Sequence, residues 1–294
     1  MKKVGFIGVG IMGKSMVRNL MKAGFELHIY ARTKSKVEDV IGEGAQFHES
    51  IKDCVQDCDA VITIVGFPQD VEEVYFDEGN ILDSAKEGTY LIDMTTTSPQ
   101  IAEKIYAEGT KRGFHVLDAP VTGGDTGAKA GTLSILVGGE KEDYEACMPL
   151  FGAMGTNINY QGKAGCGQHC KLANQIMIAG TLSGVCEALT YAKEQGLDPE
   201  VFMKSVATGA AGSKQLDTFG PKILKDDYAP GFFMKHFIKD MKLALIEANR
   251  KGLSLDVLSM VLANYEELEQ EGYGDLGTQA LMKFYDEEHR NMED

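Results

Sequence analysis

Over residues 1–161 short β-branched apolar runs alternate with stretches of helical period. The run "KVGFIG" precedes a helical stretch at 12–23, then come "ELHIY" and a helical stretch at 34–42. The pattern continues through "AVITIV", 69–75, "TYLIDM", 98–112, "HVLDAP", "TLSILVGG" and "NINYQ". Strands alternating with helices at this spacing predict parallel βαβ units and an α/β fold with a doubly wound sheet. Uninterrupted apolar strands such as "AVITIV" suit a sheet covered on both faces.

After Gly165 the strand-like runs vanish. Leu172, Ile176, Ala179, Leu182, Cys186 and Leu189 recur at helical spacing and predict one long helix ending near Gly196. A second helix starts at "LDPEVFMKSVA", with Asp198 as cap and Pro199 at its first position. Further helices are predicted at 213–224, 239–251, 255–271 and 277–288, followed by a frayed acidic tail after Asp286. The pattern thus divides the chain into an α/β domain at 1–163 and an all-helical domain at 164–294.

The 294 residues carry 44% hydrophobic and 25% charged positions, as a globular chain does, and a net charge of −15. That field repels polyanions, so nucleic acid is not an expected partner. The N-terminal "MKKVGFIGVGIMG" has the lysines and apolar run of a signal peptide, but its glycine spacing and missing small-residue cleavage site argue against one. No 18 consecutive apolar residues occur, so no membrane association is expected. The location expected is cytoplasmic. Six cysteines without a leader read as reduced thiols. The pairs Cys54/Cys58 and Cys166/Cys170, with His169, raise a zinc reading, but their spacing is not that of two close-set ligand pairs. No metal is expected.

"GVGIMG" places Gly8, Gly10 and Gly13 in the G-x-G-x-x-G spacing, after a strand and opening a helix, with Ile11 and Met12 in the same turn. In that context Gly8 permits the turn, Gly10 admits a pyrophosphate, and Gly13 lets helix and sheet approach. The helix N-terminus then faces the anion with free N–H groups. NAD-selective versions end the second strand on an acid that binds the ribose. Here "HIYARTKSK" puts Arg32, Thr33 and Lys36 there instead, and a guanidinium suits a phosphate. NADP(H) is therefore the expected cofactor, with NAD(H) as the alternative.

Five segments in order, "GFIGVGIMGKSMVRNL", "IDMTTTSP", "DAPVTGG", "GQHCKLANQ" and "FFMKHFIKDMKLAL", resemble the β-hydroxyacid dehydrogenases. That family includes 3-hydroxyisobutyrate dehydrogenase, tartronate semialdehyde reductase and the glyoxylate/succinic semialdehyde reductases. The resemblance covers nearly the whole chain. It implies a Rossmann-type first domain, an all-helical second domain reached through one long helix, and a homo-oligomer.

The resemblance also implies site roles. Thr122, Gly123 and Gly124 would anchor the substrate carboxylate, a hydroxyl plus successive backbone N–H groups forming an anion nest. Lys171 matches the catalytic lysine, whose ammonium can stabilise charge growing on a carbonyl oxygen and donate the proton. Asn174 and Gln175, at i+3 and i+4, would orient substrate and lysine. Thr96 would lie near nicotinamide and substrate, with Thr95 beside it on the cofactor. Val65, Phe67 and Pro68 would line the cofactor cleft. Lys239 would close over the cofactor, Asp240 would support the lysine or the substrate, and Phe232 would form a wall. Lys239 and Asp240 also fall where a helix is predicted to begin.

The substrate implied is a small carboxylate-bearing aldehyde or hydroxy acid. "ATGAAGSKQLD" resembles the tartronate semialdehyde and 3-hydroxyisobutyrate branches, whereas "KHFIKDMKLAL" resembles plant-type glyoxylate/succinic semialdehyde reductases. The 6-phosphogluconate dehydrogenases carry a histidine where this chain has Asn174, and imine reductases lack the lysine at 171. A non-catalytic NADPH-binding sensor or scaffold of the same fold is the reading from a different class.

Overall fold

The structure, a computed structural model, describes residues 1–285. The tail after Asp286 and the end of the 277–288 segment lie outside the described residues. Two compact units divide at Lys171 and Leu172.

In the first unit the elements run β1 (Lys3–Ile7), α1 (Ile11–Lys22), β2 (Glu26–Tyr30), α2 (Glu38–Gly42), β3 (Gln46–Phe47), α3 (Ile51–Val55), β4 (Ala60–Thr63) and α4 (Pro68–Phe76). They continue through α5 (Ile81–Ser84), β5 (Tyr90–Asp93), α6 (Pro99–Lys111), β6 (His115–Asp118), β7 (Val121–Thr122), α7 (Gly124–Ala130), β8 (Leu133–Gly139), α8 (Lys141–Met154) and β9 (Gly155–Gly162). One sheet has the order β3-β2-β1-β4-β5-β6-β8-β7, with β9 pairing β8. Strands β1 to β6 pair in parallel, and β8 runs antiparallel to β6 and β7.

Alternation along the central strands covers both faces. Phe6, Ile62, Ile92 and Leu117 enter one core with Met16, Leu20 and Phe151. Their neighbours Ile7, Val61, Leu91 and Val116 enter another with Val55, Tyr75 and Ile105. Each apolar residue of "AVITIV" thus has a helix layer to bury against, which is why the strand carries no polar alternation. Strand order reverses at β1, which has β2 on one side and β4 on the other, so the carboxyl ends of these strands form the crevice where open α/β sheets bind ligands.

The first unit departs from the sequence expectation at several elements, the short α3, α5 and α7 among those not expected. The segment 34–42 is a 3-10 turn at Lys34–Lys36 followed by the short α2, because Val37 breaks the helical geometry at φ −124°. The 14-residue α8 was not expected; its Cys147, Leu150, Phe151 and Met154 bury against the sheet.

Helix α9 (Cys166–Glu194) begins in the first unit and continues into the second, where α10 (Pro199–Val206), α11 (Lys214–Ile223), α12 (Met234–Arg250) and α13 (Asp256–Gln270) follow. The segment after Gly277 is a 3-10 helix, Thr278–Tyr285. Leu172, Ala179, Leu182, Cys186 and Leu189 of α9 meet Phe237, Met241, Leu258, Val261 and Tyr265 in the second unit's core. By length and composition α9 could cross a bilayer, but its apolar stripe is spent on this core. Asp198 caps α10 through Val201 N, with Pro199 next, and Ser213 caps α11.

Candidate functional site

Two of the three loop glycines answer to the chain itself. Gly8 has φ +96°, and a Cβ there would stand 2.1 Å from Ile64 O; a Cβ on Gly13 would stand 2.2 Å from Gly8 O. At Gly10 a Cβ would meet nothing within 4 Å, so the space above that backbone is open. Helix α1 starts there with no side-chain cap and no acid in its first turn, which leaves its N–H groups for an anion. Ile11 is exposed and Met12 half-buried beside it. The loop fits a dinucleotide pyrophosphate.

At the end of β2, Arg32 Nη2 donates to Asp70 Oδ1 at 2.7 Å and to Glu73 Oε2 at 2.9 Å. Its side chain is 63% exposed, and Thr33 and Lys36 are exposed beside it. Asp70 also accepts from Phe67 N at 2.9 Å, so one carboxylate joins Arg32 to the turn of Phe67 and Pro68 that opens α4. Val65, Phe67 and Pro68 are half-buried there, and Val65 N donates to Thr95 Oγ1 at 3.0 Å.

Beyond β5, Thr95 is buried and Thr96 half-buried, and Ser98 caps α6 as the sequence indicates. Three residues that sequence reasoning did not single out organise this end. Asp93, fully buried, accepts from Thr63 Oγ1 at 2.8 Å and Thr95 N at 3.1 Å, and burial pushes its carboxyl up to about 6. Asp118 takes Gly165 N and Gln168 N, each at 2.8 Å, on its two oxygens; burial raises its pKa while those amides hold it back. Gln168, fully buried, donates to Thr95 O at 2.7 Å and accepts from Thr97 N at 3.0 Å. All three lie inside the quoted motifs, but their pairing is not visible without the fold.

Thr122 ends β7, half-buried, and Gly123 and Gly124 follow at φ +129° and +63°. Consecutive positive φ values explain why both positions are glycine. A Cβ on Gly124 would meet nothing within 4 Å, so that backbone is open to a ligand.

Lys171 stands on α9 one turn beyond Gln168 and is 7% exposed, which is rare for a lysine. In the second unit Asn174 Nδ2 donates to Gln175 Oε1 at 2.8 Å, and Gln175 Nε2 to Asp240 Oδ2 at 2.7 Å. Lys239 Nζ lies 3.0 Å from Asp240 Oδ1. Four of the expected residues thus form one network. Lys239 and Asp240 do not begin a helix, as the 239–251 expectation had it; α12 starts at Met234 and places them in its second turn. Phe232 precedes α12, half-buried, with its ring centroid 6.1 Å from that of Phe237, edge to face.

The thiols of Cys54 and Cys58 donate to His28 O and Cys54 O, and burial pushes Cys58 up to about 12, away from the thiolate a metal needs. Among the described residues no group of three or more His, Cys, Asp or Glu could hold a metal ion.

Residues 3–162 match the family described as the NAD binding domain of 6-phosphogluconate dehydrogenase, and residues 165–285 that described as the NAD-binding of NADP-dependent 3-hydroxyisobutyrate dehydrogenase. The chain is 49% identical to the uncharacterized oxidoreductase YkwC of Bacillus subtilis over 97% of its own length and 99% of that protein. The chain belongs to the β-hydroxyacid dehydrogenase family. It is an NAD(P)-dependent oxidoreductase. The enzyme is also 44% identical to the probable mitochondrial 3-hydroxyisobutyrate dehydrogenase-like 1 of Arabidopsis thaliana, over 95% of the chain and 84% of that protein. A solved structure of Mycobacterium tuberculosis 3-hydroxyisobutyrate dehydrogenase with L-serine matches with a TM-score of 0.88 at 27% identity, covering 96% of this chain and 98% of that one.

Proposed function

We propose that the enzyme uses NADP(H) to interconvert a short β-hydroxy acid and its semialdehyde, with Lys171 as the general acid and base. The observation that carries this reading is the burial of Lys171 on a helix whose first turn is fastened to the ends of β5 and β6. A buried lysine on a helix anchored to the strand ends is the kind of group whose proton affinity its surroundings can set, which supports a role in proton transfer.

The nicotinamide cofactor, when bound, supplies the hydride to the carbonyl carbon or takes it back. Lys171 donates a proton to the carbonyl oxygen during reduction and, as the neutral amine, accepts the hydroxyl proton during oxidation. Thr122 and the backbone N–H groups of Gly123 and Gly124 hold the substrate carboxylate, and Thr96 flanks the reacting carbon. Asn174 and Gln175 orient substrate and lysine, Asp240 holds Gln175, Phe232 supplies an apolar wall and Lys239 covers the cofactor. Arg32, Thr33 and Lys36 take the 2′-phosphate, supported by the absence of an acid where β2 ends. Serine, present in the mycobacterial relative's structure, is itself a β-hydroxy acid, which supports the substrate class.

The test is oxidation of NADPH and of NADH with tartronate, methylmalonate and succinic semialdehydes, by the wild type and Lys171→Ala. Turnover of at least one, lost in Lys171→Ala while NADPH still binds, is expected. Cofactor binding without Lys171-dependent turnover would instead identify a sensor of the same fold.

A further inference from the structure

We infer that Gln168 is a positioning residue for the proton transfer, locking the Thr95–Thr97 turn to the helix that carries Lys171. The inference rests on the role proposed for Lys171. A carboxamide presents a donor nitrogen and an acceptor oxygen in a single plane, and here both atoms are used on one backbone segment: Nε2 donates to Thr95 O at 2.7 Å and Oε1 accepts from Thr97 N at 3.0 Å. Between these contacts sits Thr96. The same turn is tied onward to the β4 end, where Thr95 Oγ1 accepts from Val65 N.

The helix start does not need this side chain to stay in place. Asp118 already binds the amides of Gly165 and Gln168, and a Cβ on Gly167 would stand 2.4 Å from Leu136 O, so backbone and sheet are in direct contact there. What the Gln168 carboxamide adds is the position of the turn. Residues three apart share a helix face, and helical side chains lean toward the N-terminus. Lys171 follows Gln168 on that face, about 4.5 Å along the axis, so one stretch of helix carries the lysine and, through Gln168, holds the turn that contains Thr96. Loss of the lock would let the turn move relative to the amine, and proton transfer is sensitive to about 1 Å.

The test compares Gln168→Met, which keeps the length and removes both polar contacts, with Gln168→Glu. An ionised Glu accepts from Thr97 N but cannot donate to Thr95 O; a protonated one restores both bonds. Reduction of whichever semialdehyde the wild type turns over is measured from pH 6 to 8, each rate divided by the wild-type rate at that pH, so that ionisable groups shared by the two proteins, Asp93 and Asp118 among them, cancel in the ratio. The expected result is kcat at least 10-fold lower for Gln168→Met at every pH, with the NADPH dissociation constant within about threefold. The Gln168→Glu ratio is expected to recover at least fivefold between pH 8 and pH 6. If Gln168→Met keeps kcat within twofold, or Gln168→Glu shows no recovery, the inference is overturned. If Lys171→Ala retains turnover, the proposed function fails instead, so the two failures are distinct.

Discussion

The Gln175 side-chain amide donates to the fully buried Asp240 carboxylate at 2.7 Å, while the other Asp240 oxygen lies 3.0 Å from the Lys239 ammonium. One carboxylate therefore satisfies an amide from α9 and neutralises a cation on α12. Asp240→Ala removes the acceptor of the Gln175 amide and the carboxylate beside Lys239, and breaking a buried pair by removing one member costs about 3 kcal/mol. Asp240→Asn keeps an acceptor for Gln175 and should cost less. Urea unfolding monitored by circular dichroism measures both; a loss below about 0.5 kcal/mol for Asp240→Ala would show the network to be solvated.

Cofactor choice should follow Arg32 and its two acidic partners. On the proposed role, Arg32→Ala would remove a charge-assisted contact to the 2′-phosphate worth about 1.5–3 kcal/mol, so NADPH affinity should fall roughly 10- to 100-fold with NADH affinity unchanged. Glu73→Gln acts oppositely: it removes a carboxylate 2.9 Å from the guanidinium and should tighten NADPH about two- to fivefold. Titration of cofactor fluorescence reads both, and equal effects on the two nucleotides would show that Arg32 does not read the phosphate.

The loop glycines should separate by their surroundings. Gly10→Ala puts a methyl into open space, so thermal stability should hold while cofactor binding weakens by about 1–3 kcal/mol from the steric conflict. Gly13→Ala drives a methyl to 2.2 Å from Gly8 O and should cost stability before any ligand is added. Thermal melts with and without NADPH distinguish them; equal melting losses for both would contradict the assignment.

Asp93 should make the first unit's stability depend on pH. Its folded pKa of about 6 lies above the ordinary carboxylate value, so between about pH 4 and 6 the folded chain holds a proton that the unfolded chain has released. This group's contribution then falls as pH rises through that window and is fully lost above it. Asp93→Asn removes the titration, so wild type should lose about 2–3 kcal/mol relative to the variant between pH 4 and 7. Parallel stability curves for the two proteins would show that Asp93 is not protonated when folded.

Much of the architecture was legible because period and punctuation are local properties. The apolar runs of β1, β4 and β5, the Ser98–Pro99 and Asp198–Pro199 starts and the glycine turn each follow from neighbours in the chain. Helix α8 escaped because its apolar residues crowd into its second half and Pro149 interrupts it, and the 3-10 form of Thr278–Tyr285 because periodicity does not separate it from an α-helix. The change of pattern near residue 163 and the division at Lys171 differ because the first turn of α9 is bound to Asp118, Thr95 and Thr97.

By itself the sequence determined the kind of fold and the glycine loop, and it supplied the candidate residues for the chemistry, since these depend on side-chain type and short spacing. Only the tertiary structure decided which of them meet. Gln168 with the Thr95–Thr97 turn spans more than 70 positions of chain, and Gln175 with Asp240 spans 65. Such pairs carry no periodic signature. They form because folding removes water from polar groups that must then find one another.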